Sequence, residues 1–192
     1  MTTKKSAKAT GAAPALLTFA SSDLGTYGHG VLVVAREAGT KSDTATFVVD
    51  ALCLGVRRAN RSTVPTATFL NKVLPHLHAE HSTVPVPPAI ALGILEGAAA
   101  FAKAAGFAPA DAYTDALALF AGVESESAAF KFGKAGKPHF RPMSGDREEF
   151  VEETLGRLRK TCGVNGFTYD LDEFNEDHLD GDDDAEGSGD DE

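Results

Sequence analysis

The hydrophobic pattern of this chain begins with two nearly continuous apolar runs. Residues 31–35 (VLVVA) and 44–54 (TATFVVDALCL) are rich in β-branched side chains, and the six mostly polar residues 38–43 separate them. Two such runs joined by a short linker predict a β-hairpin. Because both strands are apolar at almost every position, we expect helices to cover both faces of their sheet.

Helical spacing dominates the middle and the end of the chain. Phe69, Val73 and Leu77 recur at steps of four, which places them on one face of a helix. Pro88 and Gly106 are typical of the start and the stop of a longer, alanine-rich helix. Four helices are therefore predicted, at residues 66–80, 89–105, 109–120 and 146–162.

Shorter elements complete the predicted order. We expect a helical turn at residues 15–20, a loop at 21–30 and a final strand at 167–171. Residues 130–140 alternate in polarity and carry glycines at their midpoint, which predicts a second hairpin. This order predicts an α+β fold: a mainly antiparallel sheet of two hairpins plus a C-terminal strand, covered by about four helices.

Charge divides the chain into a body and an acidic tail. The 192 residues carry a net charge of −10, yet all 18 lysines and arginines precede residue 161. Of the 28 acids, 13 lie between Asp170 and Glu192, so residues 1–169 hold 15 acids against 18 bases. We expect a single α+β domain over residues 15–171, between a disordered basic arm (1–14) and a disordered acidic tail (172–192).

Cysteine use and hydropathy favour a cytoplasmic protein. Cys53 and Cys162 lie far apart without a pairing motif, as is typical of a reducing compartment. Three lysines before an apolar patch near the N-terminus suggest a targeting segment, but Pro14 interrupts the patch and favours a plain basic arm. No run reaches the ~18 apolar residues that a membrane span needs.

Several blocks of the sequence resemble an uncharacterised bacterial domain family. Residues 47–56 (FVVDALCLGV) are similar to its VD-x-x-CLGV strand, and residues 31–36 (VLVVAR) are similar to the strand that precedes it. Further similar blocks lie at residues 95–101, 118–122 and 132–140. Members of that family often sit beside helical repeats or small zinc-binding tails, and this chain has neither. The resemblance implies one intact domain in a bacterial, intracellular setting, and it brings no established activity.

Asp50 is the one acid inside an apolar strand. An unpaired carboxylate is costly to bury, so it must meet water, a cation or backbone donors. We expect a structural pairing, with Arg57 or Arg58 as the partner. A catalytic or ligand-binding role for Asp50 is the alternative.

A cysteine–histidine pair is the main catalytic candidate. A symmetric hairpin turn near residues 40–41 would set His29 beside Leu52 and Cys53. A thiolate nucleophile needs such a base within hydrogen-bond reach. A cysteine that only fills space in the core is the competing interpretation.

We expect no metal and no cofactor. His76, His78 and His81 do not share one helical face, and no further cluster completes four zinc ligands. The acidic tail fits a calcium loop in neither possible register. The glycines of residues 25–30 precede a strand, whereas a phosphate loop leads into a helix.

The function predicted from these features is non-catalytic. We expect a cytoplasmic accessory protein that binds a macromolecular partner, most simply another protein, while the acidic tail tunes the contact through long-range charge or acts as a decoy for basic surfaces. Two alternatives stay open: a hydrolase or transferase using Cys53, His29 and Asp50, and a weak nucleic-acid binder with an autoinhibitory acidic tail. The candidate partner-binding residues are Arg57, Arg58, Arg61, Asp182, Asp183 and Asp184.

Overall fold

The structure, a computed structural model, describes residues 15–127, 130–143 and 145–171. Its main sheet contains β1 (Leu16–Ser21), β2 (His29–Ala38), β3 (Lys41–Asp50), β4 (Gly55–Pro65) and β5 (Thr83–Pro85). All neighbouring strands are antiparallel, in the order β4-β3-β2-β1-β5. The two apolar runs of the sequence form the central hairpin, β2 and β3.

The helices follow the predicted order closely. They are α1 (Ser22–Tyr27), α2 (Thr66–Thr68), α3 (Leu74–His81), α4 (Pro88–Ala104), α5 (Tyr113–Leu117) and α6 (Glu148–Cys162). A π-helical stretch, Phe69–Val73, joins α2 to α3, and a 3-10 turn, Ala118–Phe120, follows α5. A second, two-stranded sheet pairs β6 (His139–Phe140) with β7 (Thr168–Tyr169) in parallel. Among the described residues, no helix is long and apolar enough to cross a membrane.

Helices cover both faces of the main sheet, as the apolar strands predicted. On one face Leu32 and Phe47 share a hydrophobic core with Leu95 of α4. On the other face Val33 packs in a separate core with Phe69. Each such fully buried side chain contributes about 1.5–3 kcal/mol to folding. The α+β class is therefore confirmed.

A third core lies under α6. Val151, Leu155 and Leu158 recur at helical spacing on the buried face of that helix, and they pack with Cys53 and Phe140. This core joins the turn after β3 to the C-terminal part of the described chain. The turn after β3 is consequently held against α6 by the packing of Cys53 and Leu54.

Three sequence predictions need correction. Residues 15–20 form strand β1 and not a helical turn, because β2 and β5 both offer backbone partners to this segment. The loop predicted at residues 21–30 contains α1. In residues 130–140 only one isolated bridge, between Lys134 and Lys137, forms in place of a full second hairpin.

The register of the β2–β3 hairpin also differs from the prediction. Its turn is Gly39–Thr40, so Ala38 pairs with Lys41 and His29 pairs with Asp50. Gly39 adopts a left-handed conformation with φ 68°, which suits glycine at a tight hairpin turn. The turn lies one residue earlier than the predicted turn near residues 40–41, and this shifts every strand pairing by two residues. His29 therefore does not lie beside Leu52 and Cys53.

Candidate functional site

Asp50 ends β3 and organises the turn that follows it. The residue is 1% exposed, and its Oδ1 accepts the backbone N–H groups of Leu52 and Cys53 at 2.9 Å each. Oδ2 accepts the N–H of Leu54 at 3.1 Å. A buried carboxylate that receives three backbone donors is well compensated for the loss of water. The partners of the Asp50 carboxylate are therefore backbone N–H groups of the turn, and the expected pairing with Arg57 or Arg58 is wrong.

His29 approaches the same carboxylate from the neighbouring strand. Its Nε2 lies 3.3 Å from Asp50 Oδ1, an ion-pair distance without the alignment of a hydrogen bond. The His29 side chain is 15% exposed, so one edge of the ring still meets solvent. Since Nε2 is turned to Asp50, Nδ1 is the ring nitrogen left for a ligand.

Gly30 lets this part of β2 approach the start of α1. The Val31 N–H donates to Ser21 Oγ at 3.0 Å across the β1–β2 pair. A Cβ atom added to Gly30 would lie 2.1 Å from that hydroxyl and 2.9 Å from Leu24 Cβ. A side chain at position 30, directly after His29 in β2, would therefore displace Ser21 or Leu24.

Cys53 lies in the core and does not face His29. It is fully buried in the cluster under α6, and burial together with the nearby Asp50 carboxylate raises the pKa of its thiol far above the usual range. No hydrogen bond joins Cys53 to His29, both of which lie in the described part of the chain. In this geometry the thiol stays protonated at neutral pH and contributes packing.

A β-bulge redirects Arg57. Val48 pairs with Arg58 and Val49 pairs with Val56, so Arg57 is the extra residue of the bulge. Strand alternation alone would send Arg57 and Arg58 to opposite faces of the sheet, whereas the bulge lets both reach the same cavity. This bulge could not be predicted from the sequence, because β4 itself was not predicted.

That cavity, here called the histidine–arginine pocket, has a volume of about 460 Å³. Its floor is the outer face of the central strands at Val31, Thr46 and Val48. Its walls come from four parts of the fold: His29, Arg57, Arg58, His81, Met143, Gly145 and Asp146. The size is that of small-ligand or side-chain sites. The structure thus brings together four residues that the sequence analysis considered in different connections: His29, Arg57, Arg58 and His81.

One wall of the pocket is held by an ion pair. Arg57 Nη2 lies 2.6 Å from Asp146 Oδ1, and both side chains are 14% exposed. Asp146 Oδ2 also accepts the N–H of Met143 at 2.9 Å, which closes the 143–146 turn. The Arg57 guanidinium further lies over the Phe150 ring, 5.3 Å from its centroid. Arg57 is accordingly a wall-forming residue, since its charge is already matched.

One cation of the pocket has no counter-ion among the described residues. Arg58 is exposed and makes no ion pair in this part of the chain. The buried Nη1 of Arg57 and the buried Nε2 of His29 have no hydrogen-bond partner within residues 15–127, 130–143 and 145–171. Because those two atoms are buried, the exposed Arg58 guanidinium is the group that an acceptor entering the pocket would meet.

Arg61 does not belong to this surface. It lies three residues beyond Arg58 on β4, so alternation directs it to the other face of the sheet. There its Nη1 lies 2.9 Å from Asp115 Oδ1, and its Nη2 lies 3.9 Å from Asp43 Oδ2. The three arginines predicted as one basic cluster are therefore divided between two faces.

The histidines of the 76–81 segment diverge. His76 Nε2 lies 3.2 Å from Glu80, His78 Nδ1 lies 2.6 Å from the Thr83 carbonyl oxygen, and His81 lines the pocket. Within the described ranges, no group of three His, Cys, Asp or Glu side chains is arranged to hold a metal ion. Asp182, Asp183 and Asp184 lie outside the described residues, as do the rest of the acidic tail and the basic arm.

Comparisons of the chain with protein-family models, with curated proteins and with solved structures find no match. The resemblance to a bacterial domain family stays a prediction, and the function has to be argued from the site.

Proposed function

We propose that this chain is a non-catalytic accessory protein that binds a macromolecular partner, and that an acidic group of the partner enters the histidine–arginine pocket. The observation that carries the proposal is the pairing state of the arginines. Arg57 and Arg61 are matched by Asp146 and Asp115, whereas Arg58 stands exposed at the pocket without a described counter-ion. A carboxylate of the partner would pair with the Arg58 guanidinium, which has no counter-ion among the described residues.

The chemistry of the pocket favours a side chain over a free metabolite. Its floor is part of a packed β-sheet, and Met143 adds a flexible, exposed apolar wall of the kind enriched at protein interfaces. An Asp or Glu side chain carried on a partner could reach the cations while its neighbours contact this rim. We place this interaction in a bacterial cytoplasm, where Cys53 and Cys162 would persist as the free thiols that they are here.

The acidic tail, residues 172–192, would compete for the same cations. It carries 12 acids and no lysine or arginine, so it presents the same chemistry as the proposed partner segment. Surface charges interact over about 8 Å at physiological ionic strength, so such competition depends on salt.

Affinity capture with the immobilised full chain tests this proposal. A partner should be retained at about 50 mM salt and lost at about 500 mM salt, where screening is strong. Replacing Asp182→Asn, Asp183→Asn and Asp184→Asn together should increase retention by weakening the competitor. A partner whose retention is independent of salt and of the tail substitutions would contradict the proposed mechanism.

A second candidate is a hydrolase or transferase, which the His29–Asp50 contact favours. In that case His29 would act as a general base and Asp50 would orient its ring. Turnover of simple ester or phosphoester substrates should then be abolished by His29→Asn and retained by Cys53→Ser. Turnover unaffected by His29→Asn would exclude this alternative.

A further inference from the structure

A second cavity, larger than the first and lined by different residues, concentrates positive charge. It has a volume of about 570 Å³ and lies between α1 and the segment that follows residue 130. Lys131, Lys134, His139 and Arg141 line one side, and no aspartate or glutamate is among the described residues that line it. We call it the lysine cavity. Its opposite side, with Leu24, Tyr27 and Leu52, is largely apolar.

The lysine-bearing wall is fastened to the body of the protein. The Gly133 N–H donates to the Ala51 carbonyl oxygen and the His139 N–H donates to the Leu52 carbonyl oxygen, each at 2.9 Å. Gly133 has φ 69°, and a Cβ atom there would lie 2.3 Å from the Lys137 carbonyl oxygen. The backbone of the wall is thus anchored to the Asp50 turn through a conformation at Gly133 that favours glycine, so the chain segment that carries the cations is fixed.

The cations of this wall are incompletely matched. Lys131 and Lys134 are exposed and make no ion pair with any residue that the structure describes. Arg141 Nη2 lies 3.3 Å from Asp170, but the buried Nε of Arg141 has no hydrogen-bond partner within the described ranges. His139 is 5% exposed and its Nδ1 lies 2.8 Å from Thr168 Oγ1, which leaves Nε2 for a ligand.

The positive field of the cavity acts on His139 itself. Burial is the main cause of the lowered pKa of this imidazole. The positive charges of Lys134 and Arg141 lower the pKa further, whereas Asp170 and Asp50 raise it by smaller amounts. An anion placed among these groups would be attracted by the same charges. A dianion would be attracted more strongly than a single carboxylate.

We propose that the lysine cavity binds a phosphate-bearing small molecule, with Lys131, Lys134 and Arg141 around the phosphate group and the non-phosphate part against Tyr27 and Leu52. Lysine ammonium and arginine guanidinium groups are the usual phosphate ligands in proteins. The volume exceeds what a phosphate ion fills and lies in the range of small-molecule sites, which leaves room for an apolar portion beside the Tyr27 ring. This site is separate from the histidine–arginine pocket and goes beyond the proposed function.

The test is a titration of the full chain with pyrophosphate at constant ionic strength, followed by the amide shifts of ¹⁵N-labelled protein. Saturable shifts should appear at Lys131, Gly133, Lys134 and His139. Each of Lys131→Gln and Lys134→Gln should weaken binding about tenfold, the typical effect of losing one charge-assisted hydrogen bond. Both lysines are exposed, so these variants should remain folded.

A matched control removes the same charge elsewhere. Lys103→Gln with Lys160→Gln changes two exposed lysines that do not line the cavity, and it should leave the affinity within about twofold. The titration is repeated on the chain with Asp182→Asn, Asp183→Asn and Asp184→Asn, because a highly acidic tail competes with pyrophosphate for cations. The site is supported if saturable amide shifts appear at the cavity, in the wild type or in the tail variant, and are lost when Lys131 and Lys134 are replaced. No saturable shifts at the cavity in both chains, or equal losses in the control variant, would overturn it.

Discussion

His29 lies directly opposite Asp50 in the β2–β3 ladder, and its Nε2 comes within 3.3 Å of the Asp50 carboxylate. The same carboxylate receives the backbone N–H groups of Leu52, Cys53 and Leu54. One buried acid therefore fixes a turn and a histidine together. Since Ala51 and Leu52 also accept hydrogen bonds from the lysine-bearing wall, both cavities depend on this turn.

Removing the charge of Asp50 should destabilise the protein strongly. In Asp50→Asn an amide –NH₂ replaces one carboxylate oxygen and would face at least one backbone donor of the turn. We expect a loss of about 2–3 kcal/mol in the free energy of unfolding, measured by urea denaturation. Asp111→Asn, at an exposed position, is the control for the charge change. A loss below about 0.5 kcal/mol for Asp50→Asn, as at ordinary surface sites, would show that the turn does not need the carboxylate.

Gly30→Ala should also destabilise the fold. The new methyl group would collide with Ser21 Oγ and Leu24 Cβ, so we expect a loss of about 1–3 kcal/mol, as for other overpacked sites. Gly25→Ala is a matched control, because no atom lies within 4 Å of the added Cβ and α1 gains a better helix former. Urea denaturation of the two variants side by side should separate them clearly, and equal stabilities would contradict the close approach at Gly30.

The two thiols should differ in reactivity. Cys53 is buried and its pKa is raised, whereas Cys162 is half-buried at the end of α6. At neutral pH a disulfide reagent should label Cys162 first and reach Cys53 only after global unfolding. Cys162→Ser should leave a native protein that hardly reacts. Rapid labelling of Cys53 in that variant would revive the nucleophile that the sequence suggested.

The main elements of the fold could be predicted from the sequence, whereas strand β4 and most of the site could not. The apolar runs identified the β2–β3 hairpin, and the limits set by Pro88 and Gly106 identified α4. Strand β4 was missed because it is an edge strand whose polar side chains face water, so it lacks an apolar run. The site was only partly predictable, because a one-residue change in turn position shifted the pairing by two residues and moved His29 from Leu52 and Cys53 to Asp50.

The histidine–arginine pocket could not be predicted from the sequence, because its residues meet only in the folded chain. His81, Arg57 and Asp146 come from elements far apart in the sequence, and only the bulge at Arg57 lets it join Arg58. Asp50 was recognised as unusual because it interrupts an apolar strand. Its true partners are backbone N–H groups, which no pattern of side chains can reveal.

Stability should fall as the pH drops through the ordinary pKa of histidine. The pKa of His139 is lowered from 6.5 by burial and then by Lys134 and Arg141, so the folded state binds this proton more weakly than the unfolded state does. The stability associated with neutral His139 is therefore present above about pH 6.5 and is lost below it. Between about pH 7.5 and pH 5.5, the free energy of unfolding measured with urea should fall less in His139→Asn than in the wild type. In His76→Asn, a change at an exposed position, it should fall as much as in the wild type. Equal losses in His139→Asn and the wild type would contradict this assignment.

The most direct test of the partner-binding account compares two arginine variants in the same capture experiment. Arg58→Gln and Arg61→Gln each remove one positive charge from β4, but only Arg58 lines the histidine–arginine pocket. We predict that Arg58→Gln reduces retention of a salt-sensitive partner about tenfold, and that Arg61→Gln leaves it within about twofold. Equal retention by both variants would mean that net charge, and not the pocket, holds the partner, and the account would be wrong.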